Sequence, residues 1–232
     1  NKKRGLAIGM SVSGIGLGYA YVPILVQTII DAHGWRAAYY ALSLIVLLVS
    51  VPLIYFFLKE TPEELGLLAD GEDHSDSNEK PQVNFGMTSS ETIRKREFWL
   101  LLLIFLFISF NLHGLMPHLV PMLRDKGIDS STAAMIASCL GITVFASRIL
   151  IGYLLDIYFA PRVALIFFAL STIGFAIFST SVTVPMMFLA AVLAGLSLGA
   201  EIDILAYLIG KYFGLRSFGE IYGLLFVGIF IG

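Results

Sequence analysis

The chain reads as an all-α, polytopic membrane protein, and three observations predict that class. Hydrophobic residues make up 57% of it and charged residues only 14%, with a mean hydropathy of +0.85; a soluble domain carries roughly 25% charged residues. The charges are clumped, ten of the seventeen acids falling between Glu60 and Glu97. Long runs without Asp, Glu, Lys or Arg fill the rest: Leu6–Ile30, Ala37–Leu58, Phe98–Leu123 and Val163–Ala200. A membrane-crossing helix needs about 20 apolar residues, so the last run holds two passes. A very apolar soluble bundle would need charged faces on its helices, and these runs have none. Cys139 is the sole cysteine, so an intrachain disulfide and a CxxC metal or redox site are excluded. The net charge of −2 implies no nucleic-acid partner.

Six full spans and one partial span follow in order: about 6–30, 36–58, 97–121, 131–156, 162–181, 184–210, and a last one from about 218. From there to Gly232 the chain reaches only about 22 Å, short of a hydrocarbon core of about 30 Å. The expectation is a piece of a longer protein, ending inside a helix. The first span is rich in glycine, and Gly5/Gly9 and Gly14/Gly18 have the small-xxx-small spacing of close helix contact. Gly14-x-Gly16 lacks the third glycine of a nucleotide loop, Tyr19 standing in its place, and lies in a span rather than at a strand-to-helix turn. With Asn1 on the cytoplasmic side and alternating spans, eleven Lys and Arg fall inside and three outside, Arg36, Arg124 and Lys126. That excess is the one expected of cytoplasmic loops. Trp35 and Trp99 fall at span ends, where interfacial aromatics belong.

Residues 59–96 are the exception to the apolar pattern. "ADGEDHSDSNEKPQ" is acidic, polar and turn-rich, and reads as a flexible cytoplasmic linker. Its end, "SSETIRKREFW", predicts a short surface helix with Ser90 as N-cap and a basic last turn. A solvated linker with a basic membrane anchor is the plain reading, and a regulatory binding segment the rival.

Three charges lie deep in the spans: Arg148, Glu201 and Asp203. Each costs roughly 2.5–3.5 kcal/mol at a helix centre and by default marks a pathway, a proton relay or a structural ion pair. Glu201 and Asp203 are two residues apart, about 200° around a helix, so they face opposite ways and form no carboxylate dyad. Asp203 shares its face with Gly195, Gly199, Tyr207 and Gly210, and so looks inward toward a ligand or a close neighbour. Glu201 lies among Leu198, Leu205 and Leu208 and needs a partner on another helix or a proton. Arg148, at nearly the same depth, is the expected partner of Glu201. It is also the one deep cation for a carboxylate substrate, its planar fork suiting bidentate binding. Structural pairing is the rival reading for all three. In the third span Asn111, Gly114 and His118 share a face, and Pro117 and Pro121 are expected to disturb its outer end. His118 is a candidate for proton exchange, with an interfacial histidine as the alternative.

"KKRGLAIGMSVSGIGLG", "GWRAAYYAL" and "ETPEELGLLADGE" resemble the fifth and sixth helices and central-loop start of a major facilitator superfamily transporter. The closest branch is the monocarboxylate-transporter-like and oxalate/formate-antiporter-like group. "HLVPMLRDKGID", "ASRILIGYLLD" and "LGAEIDILAYLIGKYFGLRSFGEIYGLLF" resemble the seventh helix with its following loop, the eighth helix, and the tenth helix running into the eleventh. The resemblance implies two six-helix halves with substrate bound between them. Residues 1–58 are then the last two helices of the first half, 59–96 the central linker, and 97–232 the second half as far as its fifth helix. The basic eighth-helix residue used for an anionic substrate falls on Arg148. The acid that proton-coupled animal members carry four residues earlier is Val144 here, which leaves the coupling role to the acids of the tenth helix. "GYLLDIYFAPR" resembles the cytoplasmic loop signature at Gly152, Asp156 and Arg162, with Ile157 where a basic residue is expected.

The expected function is secondary active transport of small organic anions, mono- or dicarboxylates, by alternating access, with proton symport favoured. Arg148, Tyr207 and Asn111 are the expected substrate-binding residues, and Asp203, Glu201 and His118 the proton-coupling ones. Beyond the anion, protons and the lipid bilayer, no partner, cofactor or metal is expected. The expected location is a bacterial-type inner (plasma) membrane, with Asn1 and the linker cytoplasmic. Anion exchange and a sensor or receptor on a carrier scaffold are the alternatives. An enzyme is disfavoured by the absence of HExxH, GxSxG or a second basic residue within the spans.

Overall fold

A computed structural model describes residues 13–57 and 86–231, which are helical but for short connections. Among the described residues six helices are long and apolar enough to cross a membrane, and a shorter apolar helix follows them, as the uncharged runs predict. Among the described residues, one compact unit holds 25–57 and a second holds 13–24 and 86–231.

Helix α1 spans Gly14–His33 and ends at Gly34, whose φ of 81° lets the chain turn. Helix α2 begins at Trp35 and is α-helical to Ile45, widens into a π-helical turn over Val46–Ser50, and returns to α-helix over Val51–Phe57. The widening has a local cause. Pro52 has no N–H and its ring crowds the carbonyl four residues earlier, and the Val51 N–H bonds back to the Val46 carbonyl, one residue further than in an α-helix.

In the second unit the linker's end is ordered. Helix α3, Ser89–Ile93, is capped by Thr88 rather than Ser90: its hydroxyl accepts from the Glu91 N–H while the Glu91 carboxylate accepts from the Thr88 N–H, a capping box. Just before it, Gly86 pairs with Gly214 and the Met87 N–H bonds the Phe213 carbonyl, and at its first residue Ser89 donates to Glu220.

Helix α4 runs Arg96–Asp125 without a break through Pro117 and Pro121, against the expected disturbance. Its buried row of Leu112, Leu115, Leu119 and Leu123 packs along the proline-bearing stretch, and membrane helices tolerate proline where their neighbours hold them. A Schellman turn ends the helix: Gly127, at φ 83°, and Ile128 donate back to the Arg124 and Leu123 carbonyls. Asp129 then caps helix α5, Ser130–Ile157, accepting from the Thr132 N–H at 2.9 Å. Helices α6, Ala160–Thr180, and α7, Val184–Tyr212, follow after short links, each with proline in its first turn. Helix α8 covers Phe218–Ile231.

Helix α7 is the centre of this unit, with buried residues around its whole girth. It packs against α5 and α6 most closely, which requires small residues. A Cβ on Gly199 would stand 2.6 Å from the Val144 carbonyl oxygen, and one on Gly195 2.7 Å from that of Leu140. Gly16 of α1 meets the Phe145 backbone, and Gly141 of α5 meets Tyr19 and Ala20. Gly14 and Gly18 face open space, so Gly16 does the packing expected of that pair; Gly5 and Gly9 lie outside the described residues.

Candidate functional site

Two apolar clusters build the second unit. One gathers Phe98–Phe105, Ile151, Leu155, Phe167, Ile204–Ile209 and Leu225; the other gathers Leu112–Leu123, Ala133–Val144, Phe178 and Met187–Leu198. The polar residues fall where they meet. On α4 Ser109 lies between Phe105 and Leu112, on α5 Ser147 and Arg148 lie between Val144 and Ile151, and on α7 Glu201 and Asp203 lie just beyond Leu198. Arg148, Glu201 and Asp203 are the buried charged side chains among the described residues, exposed by 2%, 0% and 5%.

Asp203 faces α5. Its Oδ1 accepts from Arg148 Nη1 at 3.4 Å, and this one long contact is the whole of the ion pair. Asp203 Oδ2 and Arg148 Nε are buried without hydrogen-bond partners. A bidentate guanidinium–carboxylate pair makes two bonds of about 2.7–2.9 Å, so half of this pair's bonding capacity is unused. Beside it the Ser147 hydroxyl donates to the Leu196 carbonyl at 2.5 Å, fastening α5 to α7 about two turns before Asp203.

Glu201 faces α4, not Arg148, and the expected Arg148–Glu201 pair is corrected. The two acids are on opposite sides of α7, as the helical wheel requires, and α5 lies on the Asp203 side. Ser109 donates to Glu201 Oε1, and His113 Nε2 stands 3.3 Å from Oε2. The leucines at 198, 205 and 208 do flank Glu201, in the buried cores.

The remaining candidates are spread out. Tyr207 is half-buried against the first cluster, with the Lys211 ammonium 5.8 Å from its ring centroid. Asn111 is exposed and donates to the Phe107 carbonyl of its own helix at 2.8 Å. His118 is exposed. The structure thus brings together Arg148 with Asp203, and Glu201 with two residues not expected, Ser109 and His113. Their signal was present in "SFNLHG": Ser109 and His113 are i, i+4 and share a face, opposite the Asn111/His118 face. On α8, Tyr222 packs against the first cluster and stacks between Phe218 and Phe226. Among the described residues no cluster of His, Cys, Asp and Glu fits a metal ion.

The chain is 22% identical to an uncharacterized MFS-type transporter, YhjX, of Escherichia coli (strain K12), over 240 aligned residues. That alignment takes in 100% of this chain and 55% of the relative, so the chain spans about half the length of the curated relative it matches. The family model of the Major Facilitator Superfamily matches residues 1–232. With six apolar helices long enough to cross a bilayer, this is an integral, multi-pass membrane protein, and it belongs to the Major Facilitator Superfamily.

Proposed function

We propose that the chain is the working part of a secondary active transporter of small organic anions, mono- or dicarboxylates, driven by alternating access and coupled to protons. The observation that carries this reading is the half-used Arg148–Asp203 pair. A guanidinium held by one 3.4 Å contact, with Nε free of partners, has a donor to offer a carboxylate. Asp203 is then the internal anion that a substrate displaces. When the substrate leaves, Asp203 takes its place, so Arg148 is never left as an uncompensated buried cation, a state that would cost several kcal/mol. A proton taken up by the α7 acids offsets the charge of the incoming anion and links the two fluxes. Tyr207, one turn beyond Asp203, lines the same face. The Lys and Arg distribution supports Asn1 and the 59–96 linker on the cytoplasmic side of a plasma membrane of bacterial type.

Proteoliposomes with the full-length protein test this against a panel of small mono- and dicarboxylates under an imposed pH gradient. Accumulation of one class is expected. Arg148→Lys keeps the charge but loses the fork, so uptake at limiting substrate should fall roughly tenfold or more, matching a lost hydrogen bond to a charged group of about 1.5–3 kcal/mol. Unchanged kinetics in that variant remove Arg148 from the substrate site.

A further inference from the structure

The buried charges do not balance. Arg148 compensates Asp203. Glu201 is fully buried, and among the described residues no cation of Lys or Arg type pairs with it; its neighbours there are Ser109, which is neutral, and the His113 imidazole. Every element packed around it gives the same count. Helix α4 contributes Ser109 and His113, α5 contributes the already paired Arg148, α8 adds no cation and its acid Glu220 is bonded to Ser89, and α6 has no ionisable side chain beyond Arg162. A lone carboxylate in such surroundings is strongly unfavourable. One proton removes the difficulty, on either the imidazole or the carboxyl. The two atoms that would share it, His113 Nε2 and Glu201 Oε2, are both buried, face each other at 3.3 Å, and have no hydrogen-bond partner. Ser109 occupies the other carboxylate oxygen and fixes the orientation of the group. A metal cation fits worse, because one carboxylate and one hydroxyl are too few oxygens for a hard ion.

We infer that His113, Glu201 and Ser109 form a proton-binding site joining α4 to α7, separate from the Arg148–Asp203 pair. The division of labour is then specific: the anion is exchanged at Arg148, and the coupled proton is carried between His113 and Glu201, with Asp203 serving only as the internal counter-ion of Arg148. This assignment of the proton rests on the transport reading above. The existence of the site does not, since it follows from burial and charge alone.

Infrared difference spectroscopy of the purified full-length protein in lipid tests it without a substrate. In His113→Gln the proton has only the carboxyl left to sit on. A carboxylic-acid carbonyl band is therefore expected at neutral pH, present as well in His113→Gln/Asp203→Asn and lost in His113→Gln/Glu201→Gln. No such band in His113→Gln, or a band that disappears with Asp203 instead, overturns the proposal. Should His113→Gln fail to fold, the unsubstituted protein with ¹⁵N-labelled histidine gives a second measurement, in which Glu201→Gln must change the ring-nitrogen signals of one imidazole, that of the partly exposed His113. Unaltered signals overturn it too. In proteoliposomes Glu201→Gln should abolish accumulation driven by a pH gradient while substrate exchange continues. If the parent protein accumulates no anion although the band behaves as expected, the transport reading fails and the proton site stands.

Discussion

Glu201 and Asp203 are the same functional group, two residues apart on one helix, at one depth, and almost equally buried. They differ in what faces them. Asp203 meets a permanent cation on α5, against a helix surface so close that Gly195 and Gly199 have no room for a side chain. Glu201 meets a hydroxyl and an imidazole on α4, a surface approached through Phe105 and Leu112 rather than through backbone. The first environment suits a fixed charge. The second suits a charge that comes and goes with a proton, because imidazole is the one cation partner that can be neutral near physiological pH. Position along a helix sets how deep a carboxyl lies; position around it decides which chemistry the carboxyl can perform.

The contrast can be broken by substitution. The largest effect is expected for Asp203→Ala, which leaves Arg148 buried and unpaired and should destabilise the protein by about 3–5 kcal/mol. Thermal unfolding of the purified full-length protein measures this, and Arg148→Met added to it should recover most of the loss. On the other face the effects should be smaller. Ser109→Ala deprives Oε1 of its donor, about 1–3 kcal/mol, whereas Glu201→Gln keeps an acceptor for Ser109 and should cost only about 1 kcal/mol. If Glu201→Gln destabilises as much as Asp203→Ala, the two faces do not differ in the way described. The smallest effect sharpens the comparison with a carboxylate at the water's edge. Hydrogen bonds from Thr132, by side chain and backbone, hold the Asp129 carboxyl below its ordinary range. Its capping contribution is therefore present above the unfolded-state value and is lost as pH falls through the lower folded value, starting near about pH 4. Hydrogen exchange at the first amides of α5 should quicken over that window, and should be fast and pH-independent in Asp129→Ala once intrinsic exchange is subtracted.

Much of the fold was legible because a membrane span announces itself by length and lack of charge alone. The helical runs at 97–121, 131–156 and 184–210 lie within α4, α5 and α7, and the run at 162–181 overshoots the end of α6 by one residue. The helix wheel also separated Glu201 from Asp203 correctly. Partner choice was not legible. Depth along the spans made Arg148 and Glu201 look matched, but contact depends on which neighbour lies on which side of α7, and nothing local in "LGAEIDILAY" records that. His113 was passed over for His118 because Asn111, Gly114 and His118 form the more conspicuous polar stripe; that stripe is exposed, whereas the single Ser109/His113 pair points into the core edge. Thr88 was passed over as the cap because Ser90 is as good a residue type, and only the reach of Glu91 back to the Thr88 N–H distinguishes them. Pro52 and the prolines of α4 show that one residue type can accompany a widened turn or leave a helix uninterrupted.

The glycine seam between α5 and α7 also sets a clock. With a Cβ excluded at Gly195 and Gly199, and Ser147 tied to the Leu196 carbonyl, the two helices have no freedom to slide past each other without separating altogether. Arg148 and Asp203 therefore ride on one rigid body, and their engagement changes only through side-chain rotation, not through helix displacement. Side-chain rotation needs no displacement of a helix, the step that takes microseconds to milliseconds when bundles rearrange. Arg148 and Asp203 should then reach a local equilibrium within each arrangement of the bundle, so the fraction of time the guanidinium is available is a property of that arrangement and not of the path taken to reach it.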